Sequence, residues 1–318
     1  MSRTNLDNIK TYHQLDSSDL YENLAKFGRH FEKGFHESQI NPLPLNLDQI
    51  KSLIICTDGA SRHLADFCLS LTPFFLKVPF EINTNYRLPN YANENTLVFL
   101  LSNQPNSEEL SSILAETELK KIPSLSSLSG KDYQNLPHSL GFLFGFLSRL
   151  NPTFSKTLKT EEIFSTIERT VSKLNRDFPE SQNPAKALAQ KHAQKAVILL
   201  GSGHLQGVSS YTAGLITRWA KTFSTSFTLP EANGFLESAF TYPTKVLNDY
   251  QILVLGSDLY SQTVLNQLAK AKNTFAQKRI NFSLLKPDAS DWFGEIFESL
   301  VFCTFFSYYL SITNKVNL

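Results

Sequence analysis

Residues 86 to 109 read YRLPNYANENTLVFLLSNQPNSEE. A turn carrying Pro89 leads into the run Thr96 to Leu101, which is rich in strand-forming residues and has no polar face. Such a run suits a central strand covered on both sides. A polar loop follows, and Asn106, Ser107, Glu108 and Glu109 open a helix with an acidic first turn. A strand feeding a loop at a helix N-terminus is the repeating unit of a parallel α/β sheet. Its turn can hold an anion on backbone N–H groups and hydroxyls.

The same unit recurs on both sides. Ser52 to Cys56, Val78 to Ile82 and Ile122 to Leu125 read as strands. Arg62 to Leu71, Ser107 to Leu119 and Pro137 to Leu150 read as helices, the last with Pro in its first turn. Residues 1 to 45 begin helical, with Leu20, Leu24, Phe27 and Phe31 at helical spacing, and close on NPLPLN. Residues 151 to 185 are a polar linker with one helical stretch, Glu161 to Leu174. The pattern then restarts. Strands are expected at Ala196 to Gly201, Ser226 to Leu229, Ile252 to Gly256 and Ile280 to Leu285. Helices are expected at Leu205 to Phe223, Leu259 to Lys278 and Trp292 to Ile312. The chain is predicted to be α/β: two tandem, doubly wound, flavodoxin-like parallel-sheet domains, residues 1–152 and 153–318. No direct sequence repeat accompanies this duplication of architecture.

Composition narrows the function classes. The 318 residues suffice for two full cores. A formal net charge of +1 gives no long-range pull on nucleic acid or anionic membrane, so neither is an expected partner. Cys56, Cys68 and Cys303 make no C-x-x-C pair and no zinc spacing; they read as buried small hydrophobes, and no metal or cofactor is expected. The polar N-terminus has no signal-peptide pattern, and the near-apolar stretch Leu300 to Ile312 is too short to span a bilayer. A cytoplasmic protein with reduced thiols is expected. The aromatic face of the last helix is expected to be buried between domains or in a homodimer.

Several turns could carry chemistry. In IICTDGASRHLADF, Thr57 to Ser61 link a strand to a helix. Gly59 permits close backbone approach, Ser61 offers a hydroxyl, and Arg62 or His63 could add charge. Asp58 opposes an anion there, and the ordinary alternative is a capped helix start. Ser102 and Ser107 bracket the second loop, where Pro105 removes one N–H and helix capping is again the alternative. Gly201, Ser202, Gly203 and His204 form a Gly-rich turn that could hold an anion or place His204 as an acid or base; tight strand–helix packing is the alternative. His138 and His192 fit exposed or helix-end positions. Glu231, at a strand end, could be a base or an ordinary loop carboxylate.

Taken in order, a set of segments resembles the bifunctional phosphoglucose/phosphomannose isomerase family. They are LDNIKTYHQLDSSDLYENLAKFGRHFEKGF (6–35), IICTDGASRHLADF (54–67), the 86–110 stretch, LPHSLGFLFGFLSRL (136–150), NPAKALAQ (183–190), VILLGSG (197–203), TRWAKT (217–222), LPEANG (229–234) and SYYLSI (307–312). The set spans nearly the whole chain. The resemblance implies two sugar-isomerase (SIS) domains, each with a five-stranded parallel sheet, usually in a dimer. It implies metal-free interconversion of glucose or mannose 6-phosphate with fructose 6-phosphate through a cis-enediol(ate). It also implies phosphate binding by Gly59, Ser61, Ser102 and Ser107.

The departures fall on the chemistry. The family's second loop reads S-Y-S-G-N-T-E-E; here Ser102, Asn106, Ser107, Glu108 and Glu109 fit, and Asn103, Gln104 and Pro105 do not. The first loop's G-M-G-G-S is Thr57-Asp58-Gly59-Ala60-Ser61. The family's Pro-Arg is Pro137-His138. The N-E-N-x-K that supplies the base is Ser224 to Thr228, with Thr225 in place of Glu. The P-E-L-N-H-N that supplies a ring-opening His is Pro230 to Phe235, with Gly234 in its place. Glu231, His138 and His204 are the groups left to substitute, with Glu231 and His138 the candidate catalytic pair. Two functions stay open: a diverged isomerase of weak or lost activity, and a non-catalytic phosphosugar-binding or structural protein.

Overall fold

The computed structural model describes residues 4–104, 106–127, 135–239, 242 and 249–318. Two compact units emerge: Lys26–Thr160, and Glu161–Leu318 together with Met1–Ala25. The reading 1–152 and 153–318 thus differs from the structure at the N-terminus, because residues 4–25 pack with the C-terminal unit. That unit's N-terminal part holds α1 (Ile9–Leu15) and α2 (Leu20–Ala25), so the residues at helical spacing divide: Leu20 and Leu24 lie in α2, and Phe27 and Phe31 in α3 (Phe27–Ile40) of the other unit.

The N-terminal domain runs from α3 through β1 (Ser52–Thr57), α4 (Arg62–Phe75), β2 (Phe80–Asn83), β3 (Thr96–Leu101), α5 (Glu108–Lys120), β4 (Ser124–Ser126), α6 (Leu136–Arg149) and α7 (Pro152–Ser155). Its four strands are parallel in the order β2-β1-β3-β4. Every residue of β3 is buried, as a double-sided apolar run requires. On one face Ile54, Cys56, Val98 and Leu100 meet Leu110 and Ile113 of α5. Elsewhere Phe99 stacks on Phe146 of α6 with ring centroids 4.2 Å apart. Helix α6 also lies directly against α3, backbone to backbone, at Gly34 and Gly141.

The C-terminal domain continues with α8 (Thr160–Lys173), α9 (Pro184–His192), β5 (Ala196–Gly201), α10 (Gln206–Trp219), β6 (Ser224–Thr228), α11 (Ala232–Ala239), β7 (Tyr250–Leu255), α12 (Gln262–Gln277), β8 (Phe282–Leu285) and α13 (Trp292–Thr313). Its sheet repeats the first, parallel in the order β6-β5-β7-β8. Each sheet therefore has four strands among the described residues, where the resemblance implied five.

Helix α13 has 22 residues, long enough by length and apolarity to cross a membrane, so the shorter apolar stretch understated it. It is instead the core helix of its own domain, packed on α9 and α10 and 89% buried over its most apolar window. Trp292, at its start, is half exposed, while Phe297, Phe305 and Phe306 are fully buried. The aromatic face therefore needs no second copy to cover it.

A buried lysine ties the N-terminal segment to this domain. Lys186 Nζ donates to the carbonyls of Leu6, Arg176 and Phe178 at 2.7–2.8 Å and to Asp7 at 3.2 Å. The cation has 0% exposure, and burial lowers its pKa against the opposing pull of Asp7. A buried ammonium is tolerated when its donors are so satisfied. The three cysteines are free and buried; burial pushes Cys56 and Cys303 up to about 12 and raises Cys68, which leaves them inert thiols.

Candidate functional site

In both sheets the chain turns from one side to the other at the strand pair β1/β3 or β5/β7, and the loops after those strands flank a switch point where ligands of such folds bind. In the N-terminal domain these are the two loops singled out in the sequence.

The structure brings Ser61 and Ser102 together. Their hydroxyls are 3.4 Å apart and both residues are fully buried. Between them lies the Asp58 carboxylate. Its Oδ1 accepts the Ser61 backbone N–H at 2.7 Å, and its Oδ2 accepts a short hydrogen bond from Ser102 Oγ. Ser61 Oγ accepts the Asn103 N–H at 2.9 Å, Ser102 Oγ accepts the Gln104 N–H at 2.8 Å, and Asn103 Oδ1 accepts from Ser139 Oγ at 2.7 Å. Asp58 is 4% exposed. The donors that could have faced a phosphate are thus turned on an internal carboxylate, which satisfies the same N-terminal N–H groups.

The other expected phosphate groups stand apart from this cluster. Ser107 caps α5, accepting the Leu110 N–H at 3.2 Å and donating to Glu109 at 3.0 Å, so the ordinary capping alternative describes it. A Cβ on Gly59 would meet nothing within 4 Å, so no close approach demands a glycine there. Arg62 turns along its helix to Asp66 at 2.7 Å. Pro105 lies outside the described residues.

His138 sits in the first turn of α6, the helix-end position of the two the sequence offered, and is 2% exposed. Its Nε2 is 2.8 Å from Glu37 on α3. A histidine held by a carboxylate is a weaker counterpart of the arginine expected at this place. In the C-terminal domain Glu231 is exposed in the turn after β6. Thr225, at the position of the family's base, lies within β6 opposite Ile198. Gly234, at the position of the ring-opening His, has open space where a side chain would go, so packing does not force its loss. His192 is completely buried, and it holds the helix-end position of the two the sequence offered, as the last residue of α9.

The second switch point holds a different group. His204 Nε2 is 2.6 Å from Glu295 Oε2, and the two residues are 8% and 2% exposed. Burial pulls His204 below its ordinary value, with Glu295 opposing. The pair joins the turn after β5 to the first turn of α13, 91 residues away, a distance no local pattern reveals.

Residues 181–317 match the family model described as bacterial phospho-glucose isomerase C-terminal SIS domain. A bifunctional phosphoglucose/phosphomannose isomerase of Caldicellulosiruptor bescii is 25% identical over 224 residues, covering 63% of this chain and 63% of that protein. The chain thus matches somewhat under two thirds of its curated relative. Among solved structures, the C-terminal domain of glucosamine-fructose-6-phosphate aminotransferase from Francisella tularensis matches with TM-score 0.68, 12% identity, and 92% and 95% coverage of this chain and that one. A glucose-6-phosphate isomerase like protein from Thermus thermophilus matches with TM-score 0.62, 14% identity, and 98% and 94% coverage. At these identities the structures establish the fold: two α/β domains of the sugar-isomerase type. The matched part, residues 181–317, is thus similar to a bacterial phospho-glucose isomerase C-terminal SIS domain.

Proposed function

We propose that this chain is a diverged sugar-phosphate isomerase protein whose aldose–ketose turnover is very weak or lost, and whose first-domain loop is closed by its own carboxylate. The observation that carries the reading is Asp58, bonded to the Ser61 N–H and the Ser102 hydroxyl. A tethered carboxylate is present at high effective concentration, so a free phosphate must displace it to reach those donors. The catalytic positions support the same conclusion. Isomerisation needs a base at the C2 proton and stabilisation of the enediolate. Thr225 cannot be that base at neutral pH, and His138 is held by Glu37. The family match and the buried α13 support a cytoplasmic location.

A second reading, a non-catalytic binder of phosphosugars, is favoured by the closeness of the Ser61 and Ser102 hydroxyls. Thermal unfolding with glucose 6-phosphate or sulfate separates the two. The wild type is expected to show no stabilisation. Asp58→Ser keeps a capping hydroxyl, frees the donors, and is expected to gain about 2–3 kcal/mol at ligand 100-fold above its Kd. Equal stabilisation of both proteins would sink the closed-loop reading and favour the binder.

A further inference from the structure

The two domains share one topology but differ at the switch point. In each, a short 3-10 turn follows the first strand, Gly59–Ser61 in one and Gly203–Leu205 in the other. By this register Ala60 stands where His204 stands, and Asp58 where Ser202 stands. The first domain closes its turn with hydroxyls and one carboxylate. The second buries a titratable pair there instead.

That pair is costly to bury, and two apolar residues in its place would be neutral or stabilising. Its surroundings hold further polar groups and one exposed backbone position. Tyr260, from the turn after β7, places its ring 5.5 Å from the His204 ring. Its hydroxyl is fixed, donating to the Leu255 carbonyl at 2.9 Å and accepting the Ser202 N–H at 3.3 Å. Gly203 is exposed at φ +50°, and a Cβ there would meet only the Tyr260 ring, at 3.8 Å. One turn beyond Glu295 on α13, the Ser299 hydroxyl is buried without a partner among the described residues.

The charge state fixes what the histidine offers. Burial keeps the ring neutral near pH 7. With the carboxylate on Nε2, the ring proton sits on that nitrogen and donates to Glu295. Nδ1 is then the ring's acceptor, on the side away from Glu295. Lys286, at the end of β8, is taken up by Asp258 of the turn after β7 at 2.5 Å. An anion here meets the Glu295 side chain, and Lys286 is already paired with Asp258, whereas a hydroxyl can donate to Nδ1.

We propose that the switch point of the C-terminal domain is a binding site for an uncharged polyhydroxy ligand of the free-sugar class, with His204 accepting a ligand hydroxyl, Glu295 orienting it, and Tyr260 forming the wall. Its residues all belong to the C-terminal domain, and it needs no phosphate.

The test is an NMR titration of the intact chain labelled with ¹⁵N-histidine, using glucose, mannose and fructose, and separately glucose 6-phosphate. His204→Gln assigns the His204 signals by their disappearance. Neutral hexoses are expected to shift the His204 ring nitrogens saturably. Glu295→Gln, which retains a hydrogen-bonding side chain, is expected to weaken that binding about tenfold. His204 signals unmoved by every hexose in the wild type would overturn the site, and that result does not depend on any variant folding. A shift with glucose 6-phosphate and none with neutral hexoses would overturn the assigned ligand class.

Discussion

Gly141→Ala is expected to cost the N-terminal domain about 3 kcal/mol or more, a large share of the 5–15 kcal/mol that holds a typical domain together. A Cβ at Gly141 would lie 1.9 Å from the Phe31 carbonyl oxygen and 2.7 Å from its carbon. A Cβ at Gly34 would lie 2.1 Å from the His138 oxygen. These neighbours are backbone, so no rotamer change relieves the clash and α3 must move off α6. That movement loosens Phe31 and Phe35 from Phe144, now at ring distances of 5.9 and 5.5 Å. It also disturbs the Glu37–His138 contact. Trp219 and Trp292 both lie in the C-terminal domain, so far-UV circular dichroism follows this change better than tryptophan fluorescence. The urea midpoint of the affected transition should fall by about 1–2 M. An unchanged midpoint would show that the helices part at little cost.

The second large effect is a loss of stability in acid, centred on His192. Its Nδ1 donates to the Leu188 carbonyl at 2.8 Å, its Nε2 is buried without a partner among the described residues, and the Phe306 ring lies 5.3 Å away. Burial lowers its pKa from 6.5 to about 4. The helix C-terminus would favour the charged ring, but desolvation outweighs it. Above pH 6.5 the ring is neutral in both states, so its titration contributes nothing. Between 6.5 and 4 the unfolded chain takes up a proton that the folded chain refuses, so stability falls as pH falls. The loss reaches about 3 kcal/mol at pH 4. His192→Leu removes the titrating group, so the stability difference between pH 7 and pH 4.5, followed by tryptophan fluorescence, should shrink relative to wild type. Identical pH dependence in the two proteins would contradict the assignment.

Much of the fold was readable because apolar runs of strand length leave few alternatives. The Thr96 to Leu101 and Ala196 to Gly201 strands appear with those bounds, and the helices from 108, 136 and 262 begin within three residues of expectation. The misses are places where distant contacts overrule local pattern. Nothing local says that residues 4–25 belong with the C-terminal domain; that follows from Lys186 reaching the Leu6 carbonyl, 180 residues away. Helix α4 passes through Pro73 to Phe75, where the sequence suggested a stop at Leu71. Helix α11, short and containing Gly234, carried too little periodicity to be seen.

The site was legible in residue types and not in pairings. Asp58 was visible as an unfavourable charge in an anion loop. Only its side-chain direction shows that it binds the two serines meant for the anion. The two His–Glu pairs join elements 101 and 91 residues apart, so neither partner could be chosen from the sequence.

The central claim is that the fold remains and the isomerase chemistry does not. It is tested most directly by a coupled assay of fructose 6-phosphate to glucose 6-phosphate conversion on the pure 318-residue chain. Loss of a positioned base alone costs about 10²–10⁴-fold, and here the cation and the phosphate loop are altered as well. Turnover no greater than that of heat-denatured protein is the expected result. Robust turnover, on the order of 1–10³ s⁻¹, that disappears in Glu231→Gln would contradict the claim and reveal a base relocated to the turn after β6.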